Sequence, residues 1–255
     1  MSEQIRLMRD DDRGIARIVL DRPERRNALN AALVAELTAA CARLGADETI
    51  RVVALSGAGP DFCAGADLRE VRASIEAGPQ AGLADAQALG DLFVTMRRMR
   101  QPIVAVVQGR ALAGGCGLAS ACDLVLAARS ASFGYPEVRI GFVPAMVMAI
   151  LRRSVGETRA FELLALGETI DADTAVAYGL VNRVFPDAEL EERAKEFMAD
   201  LASRSASAVA LTKQLLYRID GADFESAIRA GAEVNALARQ TDDCRAGIDR
   251  FLNSK

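Results

Sequence analysis

Apolar positions along the chain switch between two periods. Ile15–Leu20 and residues 51–56 are short runs rich in β-branched and aliphatic residues and read as strands. Between them Leu29, Leu33, Leu37, Cys41 and Leu44 recur at helical spacing, one face of an amphipathic helix with Asn27 as its expected N-cap. Leu89, Leu92, Phe93, Met96 and Met99 repeat such a face over 85–100, and Pro102 stops that helix. Ile103–Val107 has no polar alternation and reads as a buried strand. A turn containing Gly109, Gly114 and Gly115 leads into a small-residue helix through Ala121, and residues 123–127 are strand-like again. Strands alternating with helices predict parallel βαβ units, hence an α/β fold.

From about Val147 the pattern is mostly helical. Glu157–Leu166, 173–178, 189–203, 206–217, 224–239 and 242–252 read as helices, and only 181–185 looks extended. This divides the chain into an α/β core over 1–189 and a helical segment over 190–255, with no Pro/Gly/Ser-rich linker between them. The helical segment is expected to pack on the core or on a neighbour. Residues 78–82 are the one stretch expected to be a mobile loop.

Composition narrows the chemistry. The chain has 255 residues, a formal charge of −4 and no His, which excludes Ser-His-Asp and Cys-His nucleophiles and His-ligated metal. Its mild acidity argues against a nucleic-acid surface. The densest basic run, Arg97, Arg98 and Arg100, is short and lies on an amphipathic helix. Five scattered Cys with no C-x-x-C pair suit reduced thiols. The charged N-terminus lacks an apolar signal core, and the run from Ile140 to Leu151 falls short of the ~18 residues a membrane span needs. A soluble, cytoplasmic protein is expected.

Two glycine clusters carry the candidate chemistry. Gly57-Ala58-Gly59-Pro60 fails as a dinucleotide fingerprint, because the third Gly is absent and Pro60 stands where a helix should begin. The second cluster lacks the Gly-Lys-Ser/Thr ending of a phosphate loop. Each follows a predicted strand, however, and small residues in 62–68 and 113–117 let a ligand approach the backbone. N–H groups at the start of the second helix have no intrahelical partner, and two such groups aimed at one point make an oxyanion hole.

In order, the stretches DRPERRNALN (21–30), SGAGPDFCAGADL (56–68), QPIVAVVQGRALAGGCGLASACDLVLAARSASFGYPEVRIGFVP (101–144) and ALGETIDADTAVAYGLVNRVF (165–185) resemble the crotonase (enoyl-CoA hydratase/isomerase) superfamily over nearly the full chain. The resemblance implies a crotonase-like spiral of ββα units with a helical C-terminal oligomerisation region, assembled as a homotrimer or hexamer. It implies an acyl-CoA thioester as substrate and partner, with coenzyme A carried as part of the substrate and no metal or separate cofactor. The oxyanion hole maps to the N–H groups of Ala66 and Gly114, and the CoA channel to Arg26, Ala28, Ala64, Asp67 and Leu68.

Family hydratases pair two glutamates. The second maps to Glu137 in Phe133-Gly134-Tyr135-Pro136-Glu137, whereas Gly117 occupies the position of the first. Gly117, Phe142 and Met146 are expected along the acyl pocket, and a Glu at 117 should raise hydration if the helix there admits a side chain. Cys116, Tyr135 and Asp123 are expected to be structural, and Lys213 to lie on a solvated helix face rather than on CoA phosphate. The leading expectation is hydration of 2-enoyl-CoA to 3-hydroxyacyl-CoA with Glu137 as the acid–base group. The alternatives are Δ3–Δ2 isomerisation by the same glutamate, a non-catalytic acyl-CoA binder, and an RNA-binding role.

Overall fold

The computed structural model describes residues 3–253. In chain order its strands are β1 (Ile5–Asp10), β2 (Ile15–Leu20), β3 (Val52–Gly57), β4 (Ile103–Val107), β5 (Arg110–Leu112), β6 (Leu124–Ala128), β7 (Ser132–Gly134), β8 (Thr169–Asp171) and β9 (Arg183–Phe185). The helices are α1 (Ala31–Ala46), α2 (Leu68–Ala77), α3 (Pro79–Arg98), α4 (Gly114–Ala121), α5 (Ala145–Ser154), α6 (Glu157–Leu166), α7 (Ala172–Tyr178), α8 (Leu190–Ala202), α9 (Ala206–Arg218), α10 (Phe224–Ala238) and α11 (Asp242–Asn253).

A main sheet in the order β1-β2-β3-β4-β6-β9 is parallel apart from β1. Its middle strands are buried along their length because helices cover both faces, which is why Ile103–Val107 reads as an unbroken apolar run. A smaller sheet, β5-β7-β8, stands beside it and carries the glycine-rich segments. Helices follow strands in turn, and the result is the spiral α/β architecture implied by the resemblance.

Two local expectations change, and one strand is added. The cap of α1 is Asn30, whose side chain accepts the Leu33 N–H, not Asn27. Asn27 is instead fully buried with a left-handed backbone. Residues 78–82 are no loop: Gly78 turns at φ 102°, and Pro79 starts α3 at the position where its missing N–H costs nothing. The charged N-terminal segment contains β1, whose edge position explains its half-exposed, polar composition.

The segment that begins at 190 packs on the α/β core through its first helix, one of the two places expected for it. Leu190, Ala194, Met198 and Ala202 of α8 are buried in the single core that fills both faces of the main sheet. The helical arm proper is α9–α11, in which Ala210, Lys213 and Ala230 are the only buried residues among those described. No helix among the described residues is long and apolar enough to cross a membrane.

Lys213 lies neither on a solvated face nor at a phosphate. Its ammonium is buried and donates to Asp123 Oδ2 at 2.7 Å and to the carbonyls of Gln101 and Met96 at 2.9 and 3.0 Å. Asp123 also accepts from Ile103 N and Tyr217 Oη, so one carboxylate ties α9 to the starts of β4 and β6. Lys213→Met should cost about 3–5 kcal/mol, the usual loss on orphaning one partner of a buried pair. Urea unfolding at neutral pH measures it; an unchanged midpoint contradicts the latch. Two residues of the basic run are paired: Arg97 bonds Asp220 and stacks on Tyr217, and the exposed Arg100 pairs with Glu48.

Candidate active site

Backbone hydrogen bonds join the motif segments side by side. Leu29 N donates to Gly65 O and Asp67 N to Leu29 O, both at 2.8 Å. Cys63 N donates to Arg110 O and Leu112 N to Cys63 O, both at 3.0 Å. Ala113 N then donates to Gly134 O at 2.8 Å, and Leu112 is in register with Gly134. Four segments far apart in sequence (28–30, 63–67, 110–114 and 132–137) thus form one continuous ladder.

This ladder places the two candidate donors together. A Cβ built on Gly114 would lie 3.9 Å from Ala66 N, and one built on Gly65 would lie 3.3 Å from Gly114 N. Among the described residues, neither the Ala66 nor the Gly114 N–H has an acceptor, although both neighbours of Ala66 are anchored: Gly65 by its carbonyl and Asp67 by its N–H. Gly114 opens α4, so its N–H adds the positive end of the helix dipole. Close approach demands glycine here. A Cβ on Gly115 would run into the carbonyl of Cys63, and Gly65 adopts φ 96°, with the Leu112 carbonyl 2.9 Å from where a Cβ would stand.

Glu137 enters from the adjacent strand. β7 ends at Gly134, and Pro136 begins a short 3-10 turn, Pro136–Ile140, that carries the glutamate. Glu137 is 9 % exposed, and its Oε2 is buried with no hydrogen-bond partner among the described residues. Burial raises its pKa above the ordinary glutamate value, opposed only by its own backbone N–H. Phe142 N donates to Glu137 O at 3.0 Å, closing the turn, while the Phe142 side chain stays half exposed and Met146 packs against the core.

The groups around this carboxyl are structural. Cys116 and Tyr135 are fully buried, and Tyr135 Oη lies 3.1 Å from Ser120 Oγ. Burial pushes the Cys116 thiol up to about 11 and raises the Tyr135 phenol, so both stay neutral. Asp123 serves the distant Lys213 latch, and no group of acidic or thiol side chains among the described residues could hold a metal ion.

Gly117 lies in the same helix as Gly114, but its outward face is closed. A Cβ there would collide with Val147 Cγ1 and stand 3.6 Å from Phe93 Cζ. Val147 is buried on α5. Gly117 is therefore a packing notch filled by Val147 and not a wall of open pocket, and a side chain there enters only if Val147 moves. The walls that sequence reasoning missed are Leu29 and Leu89, with Leu29 Cδ1 3.5 Å and Leu89 Cδ2 3.9 Å from a Cβ built on Gly114. Both had counted only as core-facing positions of α1 and α3.

The residues expected along the CoA channel divide. Arg26, Ala28, Ala64 and Leu68 line the exposed or half-exposed rim of the ladder beside Ala66. The Asp67 side chain is engaged within the protein, accepting from Arg22 Nη2 at 3.1 Å and capping α2 through Arg69 N.

The family model for enoyl-CoA hydratase/isomerase matches residues 10–255. The chain belongs to the enoyl-CoA hydratase/isomerase family. A Thermus thermophilus protein named for enoyl-CoA hydratase is 40% identical over 94% of this chain and 95% of its own length. The 2,3-dehydroadipyl-CoA hydratase of Escherichia coli is 34% identical over 93% of this chain and 92% of its own. The crystal structure of a Mycobacterium smegmatis enoyl-CoA hydratase superposes with a TM-score of 0.94 at 33% identity, covering 100% of this chain and 98% of that one. As a family member this chain is an enoyl-CoA hydratase-type enzyme acting on acyl-CoA thioesters.

Proposed function

We propose that the enzyme hydrates 2-enoyl-CoA thioesters to 3-hydroxyacyl-CoA with Glu137 as its single acid–base residue and the Ala66 and Gly114 amides as its oxyanion hole. The observation that carries this reading is the coincidence of two unpaired amides with a buried carboxyl oxygen that also lacks a partner. A buried carboxyl oxygen is ordinarily paired, so a substrate proton at Glu137 Oε2 would complete it, while the two free amides on the partly exposed ladder would take the thioester oxygen. In the reaction, the thioester oxygen accepts from both amides. Glu137 removes a proton from water as its oxygen adds to C3, the electron pair moves through C2 onto the thioester oxygen, and the held enolate collapses as Glu137 returns the proton to C2. Two preorganised donors stabilise the anion without reorganisation, and each is worth ~3 kcal/mol in the transition state.

Arg26, Ala28, Ala64 and Leu68 would face the CoA moiety, and Leu29, Leu89, Phe142 and Met146 suit an apolar acyl group. Further copies of the chain would cover the helical arm as a trimer or hexamer; its exposed Phe224, Ile228, Leu237 and Phe251 favour this, and sedimentation equilibrium tests it. A second reading, Δ3–Δ2 isomerisation, is favoured by Val147 closing the face at Gly117, since moving a proton between carbons needs only one base. Assays with crotonyl-CoA and a 3-enoyl-CoA separate them: hydration supports the first reading, isomerisation without hydration the second, and binding without turnover rejects both.

The acid limb of kcat/KM should lie above the range of an ordinary glutamate, because Glu137 must be ionised to take the proton from water and burial raises its pKa. A pH–rate profile falling only below the normal carboxylate range would reject the assignment.

A further inference from the structure

We propose that Arg22 is a positioning residue that, with Asn27 and Asp67, fixes the direction of the Ala66 N–H; this rests on the oxyanion-hole reading above. Segment 22–30 holds only a short 3-10 turn, Pro23–Arg25, and a bridge at Leu29, yet most of its backbone N–H groups are hydrogen-bonded. Arg26 and Asn27 hold consecutive left-handed conformations at φ 52° and 55°, which persist in residues with a Cβ only where the surroundings dictate them. Asn27 supplies that constraint. Its Oδ1 accepts from Arg22 N at 3.0 Å, its Nδ2 donates to Ala58 O at 2.9 Å and Asp61 O at 2.8 Å, and its carbonyl accepts from Cys63 Sγ at 3.1 Å. The segment is thereby pinned to the loop after β3 that leads to Ala66.

Arg22 closes the bracket at the reacting end. Nη1 donates to Ala28 O, directly before Leu29, and Nη2 donates to Asp67 Oδ2, directly after Ala66. Leu29 is the residue whose N–H and carbonyl bind Gly65 O and Asp67 N on either side of Ala66. One planar guanidinium thus spans the two bridged segments that present the amide, and a lysine could not reproduce that fork. The pair is well shielded, with 13% and 14% side-chain exposure, and the guanidinium donates inward rather than to a free ligand. The Asp67 Oδ1 cap on α2 couples the same amide to the helix that follows. A shift of the Ala66 N–H would weaken its grip on the enolate oxygen while leaving the CoA rim intact.

The test compares Arg22→Met, Arg22→Lys and Asp67→Ser, the last keeping a helix-capping hydroxyl while removing the ion pair. Each is assayed for kcat and KM with crotonyl-CoA. Each is also combined with E137Q to block turnover, and the infrared band of carbonyl-labelled crotonyl-CoA is recorded when bound. Arg22→Met should lower kcat on the order of 100-fold, the loss typical of a small misplacement, with KM nearly constant and the carbonyl band moved back toward its position in water. Arg22→Lys and Asp67→Ser should show the same shift to a lesser degree, and Asp67→Ser carries the test should Arg22→Met fail to fold. A rise in KM with kcat and band unchanged would make Arg22 a CoA ligand and overturn the proposal. Lost kcat in folded variants with an unmoved band would also overturn it. A parent E137Q complex whose band matches free substrate would instead reject the oxyanion hole itself.

Discussion

Glu137→Gln should lower kcat for hydration by about 10²–10⁴-fold while leaving CoA affinity nearly unchanged. The amide keeps the size of the side chain and removes its basicity. The flanking candidates cannot substitute, because burial raises the Cys116 thiol and the Tyr135 phenol away from any useful protonation state at neutral pH. The same variant should be more stable than the parent at neutral pH. The folded-state pKa of Glu137 is raised, so its contribution to stability is favourable below the unfolded value and is lost as pH rises through the folded one. Removing the carboxylate removes a buried charge at pH 7, and this advantage should vanish in acid. Steady-state kinetics beside urea titrations at two pH values check both halves. Retained turnover would reject Glu137 as the acid–base group.

Gly117→Glu should reduce hydration rather than raise it. A Cβ at 117 runs into Val147 Cγ1 and stands 3.3 Å from Val147 Cβ, so the buried Val147 must turn from its rotamer or α4 and α5 must shift apart. Overpacking a tight core costs about 1–3 kcal/mol, and an ionised carboxylate beside Val147 and Phe93 adds a desolvation cost. Because α4 begins with the Gly114 N–H, its displacement also moves one donor away from the other. Adding Val147→Ala should recover part of the stability. The denaturation midpoints and crotonyl-CoA rates of the single and double variants measure this. A single variant with the parent midpoint and a faster rate would show that the notch is open to a side chain.

Much of this arrangement was legible before any coordinates. Strand β4 and helix α6 fall where their apolar patterns end, because Pro102 and the glycines at 156 and 167 punctuate the chain unambiguously. Glu137 and the two amide positions were expected from motif resemblance, and the ladder brings the two amides side by side. What stayed hidden depends on contacts between distant segments. Asn27 resembles a helix cap by type and position, but its side chain is taken by Arg22, Ala58 and Asp61. Lys213 looks like any surface lysine on an amphipathic helix until α9 is docked over Asp123. Val147 belongs to an ordinary buried face, and only its insertion above Gly117 shows that the missing side chain has been replaced by packing. The start of α3 was missed because Gly78-Pro79 signals a break, whereas here one helix ends and the next begins across that pair.

The central claim is that two main-chain amides hold the thioester oxygen beside a lone carboxyl group. A crystal structure of E137Q with crotonyl-CoA tests it most directly. The account predicts the thioester oxygen at about 2.7–3.1 Å from both Ala66 N and Gly114 N, with the substituted side chain facing the C2–C3 bond. A carbonyl bound away from either amide, or a side chain at 137 turned from the double bond, would contradict it.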